Sequence, residues 1–392
     1  MPKLPDILRP QQGAASKPDP FVGAEPPDRP LPEGALPDRA RKGRGAVSNR
    51  PGRFEPGERP REDDGWGADG FAEALPPLAT IVQPDRSRSV ITFNESPDVG
   101  FDRSINPYRG CEHGCVYCFA RPTHAYLGFS PGLDFETRLF AKNDAPALLV
   151  KELAKPGYRP QPIGLGTNTD PYQPIERTHK ITRGILETLD RYSHPVTIVT
   201  KSALVVRDLD ILSRLAARRL VDVSFSVTTL DGELARTLEP RAPQPRLRLK
   251  AMETLASAGV PVGVMAAPMI PALNDQELEA ILEAAKAVGA SMAGYVLLRL
   301  PLEIKDLFAE WLAEHAPQRA KHVLDLVRDT RGGQLYRSGF GERQRGTGAY
   351  ADLLRQRFRL AVKRLALDRR RPPLRLDLFQ RPEPDSQQLK LF

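Results

Sequence analysis

Short apolar runs alternate with amphipathic segments over the middle of the chain. The runs are rich in valine, isoleucine and glycine and stop at polar residues, which is typical of buried strands in a parallel sheet. They predict six strands, over Ser104–Tyr108, Pro162–Thr167, Val196–Lys201, Val221–Val227, Pro261–Ala267 and Ala293–Leu300.

Between these runs, alanine, leucine and glutamate recur at the spacing of an amphipathic helix. A strand followed by a helix, repeated at intervals of roughly 30–40 residues, is the signature of stacked βα units. The pattern therefore predicts an α/β fold with a parallel sheet. The predicted helices span Ala145–Ala154, Thr178–Tyr192, Asp208–Ala217, Leu247–Ala258 and Asp275–Val288.

The composition changes on both sides of this region. Residues 1–95 are rich in proline, glycine, arginine and aspartate, and we expect an extension that is largely disordered or wrapped over the body of the protein. Within it, Gly43–Glu55 is either a solvated linker or a clamp for an anion. The predicted core covers residues 96–305, a helical extension covers 306–371 and a flexible tail covers 372–392. The helices of the extension are predicted at Leu307–His315, Ala320–Val327 and Tyr350–Ala366.

The charge and the apolar content narrow the class of protein. A formal net charge of +8 is compatible with nucleic acid or another polyanion as a partner, but identifies none. The N-terminal residues contain no uninterrupted apolar run, so we predict no signal peptide. The longest apolar stretch, Ala258–Leu273, is interrupted by proline and is short for a membrane span. We therefore expect a cytoplasmic protein, in which thiols stay reduced.

The chain has three cysteines, Cys111, Cys115 and Cys118, with the spacing C-x3-C-x2-C. Three thiolates in one tight loop suit three irons of a 4Fe–4S cube and leave the fourth iron open. The alternative is a zinc site with His113 or His124 as the fourth ligand, since structural zinc takes four protein ligands. A disulfide would leave one odd thiol.

This spacing, followed by an aromatic and a small residue, resembles the cluster motif of the radical S-adenosylmethionine (radical SAM) superfamily. The resemblance implies that the open iron chelates the amino and carboxylate groups of the methionine. Polar residues at three predicted strand ends fit such a cofactor, because functional groups of a parallel β/α barrel gather there. They could hold a carboxylate, ribose hydroxyls and an adenine, and they lie at Thr167–Asp170, Thr200–Ser202 and Ser226–Thr228.

The runs NPYRGCEHGCVYCFARP, TNTDPYQPIE, TKS and LEPRAPQPRLRL look like those of bacterial radical SAM proteins related to spore photoproduct lyase. The resemblance implies a partial TIM-type (β/α)6 barrel, S-adenosylmethionine as cofactor and a reductant such as flavodoxin or ferredoxin. It implies cluster ligation by the three cysteines. It also implies a cofactor pocket that includes Tyr117, Thr167, Asn168, Lys201 and Ser226.

Two charged residues of the LEPRAP run, Glu239 and Arg241, match a motif after the fourth strand. They could form a buried ion pair, or they could bind cofactor or substrate. Together with Tyr117 they are the candidate catalytic residues. Spore photoproduct lyase uses a further cysteine to return hydrogen to its product radical, and this chain has no fourth cysteine. Its lyase activity is therefore not carried over to this chain.

Three classes of function remain open at this point. The first is a radical enzyme that acts on a base or sugar of nucleic acid. The second is a radical enzyme that acts on a small metabolite or a protein side chain. The third is a zinc-stabilised module that binds nucleic acid without catalysis. Salt-sensitive nucleic-acid binding separates the first class from the second, and the metal separates the third from both.

The C-terminus carries a separate motif. Residues Gln388–Phe392 resemble the short peptide with which bacterial repair and replication proteins dock on the DNA sliding clamp. A near copy, Arg375–Phe379, lies just before it. The alternative is that both apolar runs fold back on the barrel.

Overall fold

Residues 40–55, 78–368 and 372–383 are described by the computed structural model. Within them, one sheet has seven strands in the order β10-β9-β8-β7-β6-β3-β2. Every neighbouring pair from β10 to β3 is parallel, and β2 joins the β3 edge in the antiparallel sense. The strands are β2 (Ile91–Phe93), β3 (Arg103–Ile105), β6 (Ile163–Leu165), β7 (Val196–Thr200), β8 (Val221–Ser226), β9 (Val262–Met269) and β10 (Met292–Leu297).

Helices follow the parallel strands and cover the sheet, which gives a partial TIM-type (β/α)6 barrel. The register of the strands aligns their carboxyl ends, with Ile198 opposite Val223 and Phe225 opposite Val264. The helices are α1 (Asp134–Thr137), α2 (Ala145–Leu153), α3 (Glu176–His179), α4 (Ile181–Arg191), α5 (Leu209–Ala217), α6 (Gly232–Leu238), α7 (Pro245–Ser257), α8 (Leu278–Ala287), α9 (Ile304–His315), α10 (Pro317–Asp329), α11 (Glu342–Arg345) and α12 (Gly348–Arg364), with short 3-10 helices at Arg121–Leu127, Ala203–Asp208 and Asp275–Glu277.

A smaller sheet lies beside the barrel. It contains β1 (Ile81–Pro84), β5 (Arg138–Ala141) and β4 (Tyr108–Arg109) in that order. Strand β4 leads directly into the cysteine segment, and β5 follows it after α1. This sheet was not predicted, because its strands are too short to show a period in the sequence.

The predicted α/β class and the six predicted strands are confirmed, and each predicted helical stretch contains a helix. The main difference lies in Thr178–Tyr192, where two helices meet at Lys180. This residue has a left-handed backbone with φ of 52°, so one helix ends there and the next begins. The strand predicted at Ala293–Leu300 ends at Leu297, which leaves Arg299 in the segment that follows β10.

The predicted N-terminal extension is folded against the barrel wherever it is described. Ala46 and Ser48 are each 1% exposed, so a solvated linker is the wrong interpretation of the Gly43–Glu55 segment. Strands β1 and β2 also belong to this extension. Residues 1–39 and 56–77 lie outside the described residues.

The described part of the tail also packs on the barrel. The ring of Phe379 lies 5.7 Å from Tyr158 and 5.3 Å from His194, measured between ring centroids. The copy of the docking motif at Arg375–Phe379 therefore folds back. Residues Gln388–Phe392 lie outside the described residues, so clamp docking stays a prediction. Within the described ranges, no helix combines the length and the apolar content that crossing a bilayer requires.

The tail anchor should make stability depend on pH. Burial lowers the pKa of His194 from 6.5 to about 4, although its hydrogen bond to the Pro195 carbonyl opposes the shift. The folded state keeps the His194 ring neutral. The contribution of this residue to the unfolding free energy is therefore complete above pH 6.5 and is lost as the pH falls toward 4. We expect the unfolding free energy to fall by about 3 kcal/mol over this window from this residue.

Chemical denaturation at several pH values measures this dependence. His194→Gln should remove that component of the pH slope, whereas His322→Gln, a change of an exposed histidine on α10, should retain it. Parallel pH curves for wild type and His194→Gln would contradict the assignment.

Candidate functional site

The cysteine segment, residues 111–118, is held in place through its backbone. The Cys111 amide donates to the Phe135 carbonyl at 2.9 Å, and the Val116 amide donates to the Leu238 carbonyl at 3.1 Å. Gly114 has a φ of +68°, and a Cβ there would lie 2.7 Å from Oε2 of Glu136. This position therefore requires glycine, because a side chain would collide with a buried carboxylate.

Arg121 fixes the shape of this segment from inside. Its side chain is fully buried, and its five N–H donors all have partners. Nε donates to the Cys115 carbonyl at 2.9 Å, and one Nη2 hydrogen bond reaches the Gly114 carbonyl at 3.1 Å. Nη1 donates to the carbonyls of Pro131 and Gly132, and Nη2 also donates to the carboxylate of Glu136.

The N-terminal segment closes the other side of that carboxylate. The amides of Gly45 and Ala46 donate to the two oxygens of Glu136 at 3.0 and 2.9 Å. A Cβ on Gly45 would lie 1.8 Å from the Gly114 carbonyl oxygen, so the two backbones touch directly. The segment therefore binds a carboxylate of the protein itself. Binding of a separate anion or of phosphates by its glycines and arginines stays a prediction.

The three thiols lie in an environment that disfavours their ionised form. Burial raises the pKa of Cys111, Cys115 and Cys118, and the carboxylates of Asp170 and Glu239 raise it further at Cys111 and Cys115 respectively. All three are free thiols. A cysteine binds metal as thiolate, so a cationic group at this place would supply the charge that the buried sulfurs need. The donor set fits a 4Fe–4S cluster.

In the described residues, the two candidate histidines each have one ring nitrogen engaged by another group. Nδ1 of His113 lies 3.4 Å from Oδ2 of Asp170, and Nε2 of His124 lies 2.9 Å from the Arg138 carbonyl. No three histidine, cysteine or acidic side chains in the described ranges are placed to hold one metal ion together. A cube is ligated at separate corners, so its cysteine ligands lie farther apart than those of one ion.

The segment after β6 is organised by Asn106, which follows β3. The Asn106 Oδ1 atom accepts from the amides of Asn168 and Thr169 at 3.0 and 3.3 Å. Its Nδ2 atom lies 3.4 Å from the hydroxyl of Thr167. A Cβ at Gly166 would lie 1.9 Å from the Val199 carbonyl, so only glycine allows this turn to approach β7. Thr167 and Asn168 are thus presented at the carboxyl end of the sheet.

Asp170 links this segment to the next strand end. Its oxygens accept from the Thr200 hydroxyl and the Lys201 amide, both at 2.7 Å. Burial raises the pKa of Asp170, but His113 and these hydrogen bonds outweigh it and leave the pKa below its usual value. The Lys201 ammonium then donates to the Ser226 hydroxyl at 2.6 Å, which joins the ends of β7 and β8.

A second buried carboxylate, Glu239, lies next to the cysteine segment. It accepts from Tyr117, Thr228 and Arg248, and the Lys201 ammonium lies 3.7 Å from its Oε1 atom. Burial raises the pKa of Glu239, but the charges of Arg248 and Lys201 outweigh this effect and lower the pKa to about 2. The residue therefore carries a negative charge at neutral pH and fixes the Tyr117 ring.

The structure brings most of the sequence-predicted residues together. Tyr117, Lys201, Ser226 and Glu239 form one network beside the cysteines, with Thr167 and Asn168 at the adjacent strand end. Arg241 is the exception: its guanidinium lies 3.1 Å from Glu112, and it is 37% exposed. An ion pair between Glu239 and Arg241 is wrong, because the partner of Glu239 is Arg248.

Four contributors were missed by sequence reasoning: Asn106, Arg121, Glu136 and Arg248. Arg248 lies in the first turns of α7, and the run LEPRAPQPRLRL contains it, but the spacing alone does not reveal which of its arginines faces inward. Arg121 directly follows the small residue after the cysteine motif. No signal in the sequence marks Asn106 or Glu136.

The chain is similar to known proteins in both sequence and fold. Residues 105–285 match the family model of the Radical SAM superfamily. An uncharacterised protein of Mycobacterium tuberculosis is 37% identical over 277 residues, which cover 70% of this chain and 78% of that protein. An uncharacterised protein of Methanocaldococcus jannaschii is 30% identical over 173 residues, which cover 44% of this chain and 62% of that protein.

Two solved structures share the fold. A mutant of spore photoproduct lyase superposes with a TM-score of 0.52 at 18% sequence identity, covering 72% of this chain and 78% of that one. A further mutant of that enzyme, with bound AdoMet and dinucleoside spore photoproduct, gives a TM-score of 0.52 at 17% identity, with 72% and 78% of the two chains covered. At these identities the likeness shows the fold.

Replacement of Gly45 tests the contact between the N-terminal segment and the cysteine segment. Gly45→Ala should displace the segment and weaken two amide hydrogen bonds to a buried carboxylate. We expect a loss of about 2–4 kcal/mol of unfolding free energy and faster release of iron from the reconstituted protein.

The matched control is Gly157→Ala, where an added Cβ meets nothing within 4 Å. It should change stability by less than about 0.5 kcal/mol. Denaturation and iron release are measured on both variants. Equal unfolding free energies and equal rates of iron release in the two variants would show that the N-terminal segment does not support the cysteine segment.

Proposed function

This chain belongs to the radical SAM superfamily, and from that premise we propose that Cys111, Cys115 and Cys118 are the ligands of its 4Fe–4S cluster. The observation that carries the proposal is the position of the Tyr117–Lys201–Ser226–Glu239 network. It lies at the carboxyl ends of the parallel strands and beside three thiols, two buried and one half-buried, that as thiolates would need a cationic partner. Functional groups of barrel enzymes gather at this end of the strands.

When bound, the cluster and S-adenosylmethionine would supply the radical chemistry, in which reductive cleavage of the cofactor would lead to abstraction of hydrogen from a substrate. The protein binds and orients. Lys201 would offer its ammonium to the carboxylate of the methionine, with Ser226 as a second donor. Thr167 and Asn168 would contact the ribose and the adenine. The rigid backbone around Asn106 and Asp170 supports such positioning.

Tyr117 and Glu239 have a positioning role in this proposal. The Tyr117 hydroxyl is engaged by Glu239 and Thr228, which fixes the ring over one side of the cofactor pocket. The Lys201 ammonium lies 5.7 Å from the centroid of that ring. Glu239 would therefore keep both the ring and the cation in place, while Arg248 neutralises its charge.

For the substrate, we propose a base or sugar of a nucleic acid. The net charge of +8 supports this class, and so does a solved structure of the same fold, a spore photoproduct lyase mutant that contains a bound dinucleoside spore photoproduct. Because the chain has three cysteines and the proposal assigns all of them to the cluster, a cysteine cannot return hydrogen to the product. The reaction would therefore end differently from one that uses a cysteine. The electron donor would be a cytoplasmic reductant such as flavodoxin or ferredoxin.

The enzyme class is tested by product formation. The full-length chain, reconstituted anaerobically with iron and sulfide, is incubated with S-adenosylmethionine and dithionite. We expect 5′-deoxyadenosine above a control without reductant. No 5′-deoxyadenosine from protein that carries its full complement of iron would refute the proposal.

Lys201→Ala tests the cofactor pocket. The variant removes a cation from a site meant for a carboxylate, so the dissociation constant for S-adenosylmethionine should rise roughly ten- to a hundredfold. Iron content should stay equal to that of the wild type, because Lys201 is not a cluster ligand. Lys151→Ala, at an exposed position of α2, is the control with the same charge change. Equilibrium dialysis measures both, and unchanged affinity in iron-loaded Lys201→Ala would exclude this role.

A further inference from the structure

Three large aromatic side chains are exposed close to the cysteine segment. Phe119 is 38% exposed, and Phe54 and Tyr126 are 55% and 53% exposed. Each ring lies against a guanidinium. Arg299 lies 5.0 Å from the Phe119 centroid, and Arg53 lies 4.8 and 4.9 Å from the centroids of Phe54 and Tyr126. Exposed apolar side chains that cluster in a patch mark interaction sites, whereas singly scattered ones need no explanation.

These residues lie around one short helix, residues 121–127. Tyr126 belongs to this helix, its ring lies 5.2 Å from that of Phe54, and Phe119 lies two residues before the helix begins. Arg53 is held over this helix by an ion pair in which its Nη1 atom donates to both carboxylate oxygens of Glu303, at 2.8 and 3.0 Å. Glu303 follows Arg299 by four residues, on the same connection after β10. We call Phe54, Tyr126, Phe119, Arg53 and Arg299 the aromatic strip.

Arg53 forms an ion pair with a carboxylate, but Arg299 does not in the described ranges. Arg299 follows the carboxyl end of β10, and no carboxylate in the described ranges pairs with it. Its Nε atom is buried without a hydrogen-bond partner there, and Nη2 lies 3.5 Å from the Tyr336 hydroxyl.

A second guanidinium reinforces the positive charge at this point. Arg331 is 1% exposed and donates to the carbonyls of Leu298 and Glu342 at 2.8 and 2.6 Å. Burial and the charge of Arg299 lower the pKa of Arg331 to about 10. Arg299 thus has a cationic neighbour and, in the described ranges, no carboxylate partner, so an anion that contacts its guanidinium would be stabilised.

We propose that the aromatic strip binds an unpaired nucleic-acid strand, with bases stacked on Phe54, Tyr126 and Phe119 and a phosphate at Arg299. Surfaces that bind single strands combine rings for stacking with cations that follow the backbone. A duplex would not fit, because its bases are already stacked on each other. An apolar protein partner would not match the guanidinium groups between the rings.

The inference rests on the proposed function and gives it a substrate class. Phe119 directly follows Cys118, so a base on its ring lies next to the cysteine segment. The strip would therefore bring an unstacked nucleotide to the mouth of the barrel, where a radical enzyme needs its substrate.

Fluorescence anisotropy with a labelled oligothymidylate, on the anaerobically reconstituted full-length chain, tests the strip. Phe54→Leu should weaken binding between about five- and a hundredfold, as loss of one stacked base does. The dependence of log K on log salt should stay unchanged in this variant. Arg299→Gln should weaken binding and also reduce the salt slope by about 0.7, the value for one phosphate contact of a single strand. Phe54→Trp should retain binding.

The controls match these changes away from the strip. Phe93→Leu alters a ring that is 64% exposed and also lies against an arginine, at 5.3 Å from Arg103. Arg364→Gln removes a surface guanidinium that pairs with Glu283 on the opposite helix. Both should bind the oligonucleotide like the wild type, and melting temperatures verify that every variant is folded.

Three results would overturn the inference. Binding by Phe54→Leu and Arg299→Gln equal to that of the two controls would show that the strip is not the contact surface. Tighter binding of a duplex of the same length would exclude an unpaired strand. No measurable binding to any oligonucleotide would exclude nucleic acid. Formation of 5′-deoxyadenosine by the wild type is read independently, so failure of this surface and failure of the enzyme class can be told apart.

Discussion

The buried ion pair between Arg121 and Glu136 is the interaction on which the site depends. Neither side chain is exposed, and burying both charges carries a desolvation cost that their attraction offsets only when every donor and acceptor is satisfied. All the donors of Arg121 are used, four of its five hydrogen bonds going to backbone carbonyls. Two backbone amides of the N-terminal segment donate the remaining hydrogen bonds to the carboxylate oxygens of Glu136. Removing one partner would therefore cost more than the pair contributes as a whole.

This pair explains why the N-terminal segment belongs to the site although it is distant in sequence. Gly45 reaches Glu136 across 91 residues and touches the backbone of Gly114. The cysteine segment is thus held from outside by the N-terminal segment, residues 43–55, and from inside by Arg121. Its opposite side meets a second buried pair, Glu239 with Arg248, which carries the Tyr117 ring. Glu136 and Glu239 are each paired with their own arginine, so in the proposed assignment the charge of the thiolates is balanced by the cluster.

The hydrophobic pattern of the sequence predicted the strands and helices, because these form from residues that are neighbours along the chain. Valine-rich runs bounded by polar residues predicted β7 and β8, and the cysteine spacing is the basis of the proposed cluster site. What the sequence could not give were contacts between distant segments. The choice of Arg248 over Arg241 depends on where α7 begins and which side of it faces Glu239. The contact between the N-terminal segment and the cysteine segment depends on the close approach of the Gly45 and Gly114 backbones. Its only signal in the sequence is the glycine itself, and glycine is common in that region.

The central proposal is that Cys111, Cys115 and Cys118 hold a 4Fe–4S cube and leave one iron free for S-adenosylmethionine. Electron paramagnetic resonance of the dithionite-reduced, full-length protein, recorded before and after addition of S-adenosylmethionine, tests it most directly. We expect the signal of a reduced 4Fe–4S cluster whose g values shift when S-adenosylmethionine binds at the open iron. A cluster signal that S-adenosylmethionine leaves unchanged, or colourless protein that carries one zinc instead of iron, would contradict it.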